Sequence, residues 1–169
     1  MTTGLIAREF LDLVIRPTLS ELANADHRIN SPAAERLLLG TAVYESNLRY
    51  MKQRGGPARS LFQIEPTTFE DVWRWLTAQS SSLPTTVHRL CFTGKSALDQ
   101  YAGNQHLACA IARLLYWRSH DPLPAADDII GLSRYYKVHY NTSLGSGTSE
   151  KWLFAYSTEC ADLFSGGMI

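Results

Sequence analysis

Apolar residues recur at helical spacing along nearly the whole chain, and strict strand alternation is almost absent. Residues three and four apart share a helix face, so this periodicity predicts amphipathic helices packed around a common core. Ile6, Phe10, Leu13 and Val14 mark a first helix, which Pro17 is expected to end or kink. Ser31-Pro32 is a start signal, with the serine capping and the proline at the first helical position, for a second helix running to about Met51. Thr67 and Glu70 have capping-box spacing ahead of a third helix, FEDVWRWLTAQ. The pattern from Leu98 to Leu115 supports a long helix from Ser96, with Gly103 as a break. Ala125 to Tyr140 reads as helical, and Thr148 or Ser149 caps a last helix through KWLFAYSTECADLF. Between these lie a basic glycine loop, KQRGGPAR, an ambiguous HRLCFTG and a flexible loop, NTSLGSG. The short apolar segment SLFQIEP fits one helical turn or one strand. The expected fold class is mainly α.

A chain of 169 residues that is 45% hydrophobic can bury a normal core, which excludes global disorder. The expected organisation is an N-terminal helix and connector over 1–30, a main helical domain over 31–164 and a loose tail over 165–169. Ile6-Phe10-Leu13-Val14 and Trp152-Leu153-Phe154 either pack on the domain or dock on a partner. Sixteen basic and sixteen acidic residues balance, and no long basic run stands out. Nucleic acid is therefore disfavoured as a partner, while carbohydrate and protein are not. No apolar run approaches the ~20 residues that cross a bilayer. Acidic residues interrupt the N-terminal apolar pattern, so no secretory signal is expected.

Cys91, Cys109 and Cys160 are widely spaced and read as buried free thiols. The five histidines show no HExxH or i,i+4 pairing, so no metal site is expected. No GxSxG motif supports a hydrolase triad, and SLGSG lacks the lysine of a phosphate-binding loop. Trp73 and Trp75 are expected as one core ring and one partly exposed ring.

One residue disturbs the apolar pattern. LLLGTAVYESNL reads as a buried helix, yet it carries Glu45 near its end. Leu38, Thr41, Ala42 and Leu48 share the face of Glu45. A carboxyl backed by core and open at one side has its pKa raised, which suits a general acid near neutral pH. The competing reading is a salt bridge to Arg49, four residues on.

AVYESNL, followed about fifteen residues later by SLFQIEPTT, resembles the pattern of lysozyme-like lytic transglycosylases. NQHLACAIARLLYWR looks like the helix that follows in that family, and RYYKVHYNTSLG resembles its segment bearing a Tyr-Asn pair and a glycine. The resemblance spans roughly Pro32 to Gly147. It implies a lysozyme-like helical domain with a catalytic cleft and Glu45 as the catalytic acid/base. It further implies that Ser46 contacts substrate or positions the carboxyl, and that Gln63 lines the cleft. Tyr140 would hydrogen-bond and orient Glu45, while Asn141 would contact the sugar. Two departures stand out: Ser60 replaces the usual glycine and Phe62 the usual methionine.

The implied substrate is the peptidoglycan glycan strand, cut between MurNAc and GlcNAc with formation of anhydro-MurNAc and without metal or organic cofactor. Glu65, Asp71 and Asp99 are candidates for a second carboxylate, which would make the enzyme a hydrolysing muramidase instead. For Glu65 a structural role before Pro66, pairing with Arg59 or Arg54, is preferred. Tyr135, Tyr136 and Tyr140 suit either a saccharide groove or the core. A small wall-cleaving protein without an export signal is expected of a bacteriophage, made in the host cytoplasm and either carried with other virion proteins, the preferred reading, or released at lysis. A structural virion component on the same scaffold is the alternative.

Overall fold

The computed structural model describes residues 4–141 and 147–164, over which the protein is mainly helical with no extended strand. Helices α1 (Ala7–Phe10), α2 (Arg16–Ala23), α3 (Pro32–Ser46), α4 (Pro66–Thr77) and α5 (Leu83–His88) form the first half. Helices α6 (Ala97–Gln100), α7 (Gln105–Trp117), α8 (Ile129–Tyr136) and α9 (Ser149–Glu159) follow. No helix among the described residues is long and apolar enough to cross a membrane.

Pro17 does not end the first helix. A π-helical segment, Leu11–Ile15, joins α1 to α2 immediately before it. Proline brings no N–H and crowds the carbonyl one turn back, and the widened turn accommodates both. Helix α3 begins as its sequence predicts, with the Ala34 N–H donating to Ser31 Oγ at 3.1 Å. It stops short of Met51, because Asn47 and Leu48 both turn left-handed, at φ 50° and 52°. Helix α4 starts two residues ahead of the expected capping box: Glu65, not Thr67, is the N-cap and Pro66 supplies the preset φ of the first turn.

The long helix expected from Ser96 is two helices. Ser96 caps α6 and Asn104 caps α7, each accepting a backbone N–H at 3.1 Å. Buried amides also hold the ambiguous HRLCFTG stretch. The Phe92 N–H donates to Gln100 Oε1 at 2.6 Å, and Asn104 Nδ2 donates to Leu90 O at 2.7 Å. SLFQIEP is neither helix nor strand. It folds back on itself through isolated antiparallel bridges, Lys52 with Arg59 and Arg59 with Ile64. Thr148 caps α9, as one of the two expected residues.

The core centres on α3. Its residues from Leu37 to Val43 are all buried, and it packs against α1, the π segment, α7, α8 and α9. Gly40 gives α9 its seat, since a Cβ there would overlap the fully buried Trp152 ring. Part of the N-terminal segment packs on the rest of the protein. Phe10, Leu11, Ile15, Leu19 and Leu22 are at most 2% exposed and belong to the same core cluster as α3 and α7. Leu5, Ile6, Leu13 and Phe154 stay exposed. Arg113 is buried too, and burial lowers its pKa to about 10. Its Nε donates to Ile29 O at 2.8 Å, and its guanidinium lies 5.0 Å from the Trp117 ring centroid.

Trp73 and Trp75 are both half-buried against the core, so neither is the fully buried ring expected of one. Cys109 and Cys160 are buried free thiols, and Cys91 is half-buried. Residues 142–146 of the NTSLGSG loop and the 165–169 tail lie outside the described residues.

Candidate active site

Helix α3 carries Glu45 on its last turn, and the surrounding wall is built from tyrosines. Tyr44 comes from the same helix, Tyr116 from α7, Tyr136 from the end of α8, and Tyr140 from the π-helical turn Lys137–Asn141. Their rings form one contiguous set. Tyr136 meets Tyr44 edge-on at 5.4 Å and Tyr140 at 5.8 Å, and Tyr140 stacks on Tyr116 at 5.2 Å. Trp152 of α9 lies behind Tyr136 at 6.2 Å.

Burial in this wall raises the Glu45 carboxyl to about pKa 7, against the opposing effect of one hydrogen bond. That bond runs from the Tyr136 hydroxyl to Glu45 Oε1 at 2.6 Å, within the range of charge-assisted O–H···O⁻ contacts. Tyr136 and Tyr140 are in turn held as neutral phenols: burial first, then the charge of Glu45, drives both pKa values upward. The competing Arg49 salt bridge is not formed among the described residues. The left-handed turn at Asn47 and Leu48 breaks the i,i+4 register, and the Arg49 side chain lies against Gly4 instead.

The orienting tyrosine is therefore one helical turn earlier than the motif implied. Tyr140 donates its hydroxyl to Phe62 O at 2.6 Å, fastening the SLFQIEP turn to the helices. Sequence could not separate the two residues, because positions 136 and 140 share a helix face. The π-helical turn that carries Tyr140 has no clear signature in KVHYN.

Ser46 is 3% exposed, and its hydroxyl donates back to Ala42 O at 2.9 Å, so it serves its own helix rather than facing a ligand. Gln63 is half-buried, and its Nε2 donates to Tyr50 O and Ser60 O at 2.7 Å each. Both Gln63 and Ser60 hold left-handed backbone, at φ 47° and 65°. Ser60 thus occupies a conformation that favours glycine. Asn141 is half-buried and accepts from Lys137 Nζ at 3.0 Å.

The other carboxylates are engaged elsewhere or exposed. Asp71 pairs with Arg118 at 2.5 Å, Asp99 accepts from Ser96 Oγ at 2.6 Å, and Glu65 is the exposed N-cap of α4. No ion pair of Glu65 with Arg59 or Arg54 occurs among the described residues. No group of three or more His, Cys, Asp or Glu among those residues is placed to hold a metal ion. A cavity of about 320 Å³ opens beside Tyr140, lined also by Thr67, Thr68, Asp71, Arg118 and His139.

Chemically, the arrangement holds one carboxyl protonated close to neutrality, with a neutral phenol donating to it and no cation beside it among the described ion pairs. Such a group can give a proton and take one back. Comparison with family models, curated proteins and solved structures returned no match for this chain.

Proposed function

We propose that the protein is a peptidoglycan lytic transglycosylase in which Glu45 is the single acid/base. The observation that carries this reading is the raised pKa of a carboxyl shielded by tyrosines and bonded to Tyr136. Protonated Glu45 donates to the oxygen linking MurNAc to GlcNAc, and the MurNAc C1–O bond breaks. The MurNAc N-acetyl group stabilises the positive charge that develops at C1. The Glu45 carboxylate then takes the proton of the MurNAc C6 hydroxyl as its oxygen bonds to C1, closing the anhydro ring. No water is consumed and Glu45 ends protonated, so one carboxyl suffices where hydrolytic glycosidases use two. The Tyr136 hydroxyl supports the ionised intermediate state of Glu45 without competing as an acid.

The test is loss of turbidity of purified peptidoglycan with wild type and Glu45→Gln, followed by mass spectrometry of the fragments. Clearing by wild type alone, with anhydro-MurNAc ends, supports the proposal. Hydrated reducing ends would replace it with a muramidase. One observation favours a second reading, a structural protein on this scaffold: Ser46 and the Gln63 nitrogen are committed to backbone carbonyls. Equal and negligible clearing by both proteins would select that reading.

A further inference from the structure

We infer that Gly147 is a positioning residue: its missing side chain makes the space that lets the Tyr136 hydroxyl rest on Glu45. A Cβ built at Gly147 would lie 2.9 Å from Tyr136 Oη, 2.6 Å from Asn141 Nδ2 and 2.8 Å from Asn141 Cγ. All three are closer than real Cβ contacts allow. Unlike Gly55 and Gly94, whose backbones are left-handed, Gly147 does not show the positive φ that calls for glycine. Room, rather than backbone conformation, is what the position requires.

Only one of the two walls can move to relieve the added methyl. Asn141 carries its amide at the end of a rotatable side chain and can swing away. Tyr136 cannot, because its ring is 0% exposed and lies against Tyr44, Tyr140 and Trp152. The backbone after Gly147 is also pinned, since Thr148 caps α9 through its side chain and hydrogen-bonds Tyr44 through its backbone. A methyl group at 147 therefore presses on the phenol at the end that touches Glu45. The groups that face this carboxyl are the four phenols Tyr44, Tyr116, Tyr136 and Tyr140, from α3, α7, α8 and the turn after it. Of these, Tyr136 alone makes the hydrogen bond that holds the Glu45 pKa down. Gly147 thereby borders the hydroxyl that makes that bond, and a methyl there displaces it. The role in catalysis rests on the proposed function; the contact itself does not.

The experiment is a carbon-detected NMR titration of the Glu45 carboxyl in wild type, Gly147→Ala, Tyr136→Phe and the double variant, with thermal unfolding as the fold check. The wild-type midpoint is expected at about 7, and both single variants are expected to titrate higher, because each weakens a bond to the charged form. Adding Gly147→Ala to Tyr136→Phe should then produce no further rise, since the hydroxyl through which Gly147 acts is already gone. A folded Gly147→Ala with the wild-type midpoint overturns the inference, and so does a double variant that titrates above Tyr136→Phe. If Gly147→Ala alone fails to fold, the double variant should recover the fold, and its failure to do so counts against the inference equally. Because the readout is a titration, it decides the matter even if the wild-type protein never clears peptidoglycan.

Discussion

Helix α3 carries a glutamate near each end, and the two live in opposite surroundings. Glu35 sits in the first turn, where the helix dipole favours an anion, and accepts from Arg16 Nε at 2.9 Å. Arg16 also pairs with Asp12, and these partners keep its guanidinium firmly protonated. Glu45 sits in the last turn, where the dipole disfavours an anion, among phenols rather than guanidiniums. The same side chain on the same helix is thus a structural anion at one end and a proton store at the other. Pairing, not residue type, separates the two roles.

The largest expected effect comes from removing the unusual end. Glu45→Gln should lower peptidoglycan clearing by about 10²–10⁴, the usual contribution of a general acid/base, measured as initial turbidity loss. The same variant should be more stable than wild type above neutral pH. A carboxyl whose folded pKa is raised from 4.5 to about 7 stabilises the fold fully below the unfolded value. That stability is lost as pH rises from 4.5 through about 7. The loss amounts to up to roughly 3 kcal/mol by linkage. Thermal unfolding of both proteins between those pH values measures it, and parallel curves would remove the contrast between the two ends.

A smaller effect is expected at the tyrosine that motif reading favoured. Tyr140→Phe leaves Phe62 O without its donor and should destabilise by about 1–3 kcal/mol in chemical denaturation. It should leave the Glu45 titration closer to wild type than Tyr136→Phe does. Glu35→Gln should weaken the fold by only about 1 kcal/mol, since Arg16 is substantially exposed, and should keep clearing intact. Loss of clearing in that variant would erase the distinction between the ends. The smallest effect is at the stop of α3. Asn47→Gly should gain about 0.5 kcal/mol by relieving the left-handed backbone, read as a small rise in Tm.

The elements easiest to read in sequence were those whose cause is local. Ser31, Ser96 and Thr148 cap helices because a hydroxyl three residues before a free N–H can reach it, whatever surrounds them. Glu45 stood out because a carboxylate interrupts an apolar face. Local rules failed where distant residues intervene. Leu48 adopts left-handed backbone while 4% exposed, held between α3 and the N-terminal segment that bonds it through Leu5. The SLFQIEP turn depends on Tyr101, Gln105 and Tyr140 from three later segments. Ser46 and Gln63 have side chains suited to a ligand, yet nearby carbonyls take them first.

By itself, the sequence determined a mainly helical chain, the starts of α3, α6 and α9 and the presence of one carboxyl on an apolar face, since periodicity and capping act over a few residues. Tertiary packing alone decided that Tyr136 rather than Tyr140 holds Glu45, and that Gly147 borders their contact. Those choices depend on how far a buried phenol can reach across packed helices, which close packing around Trp152 constrains.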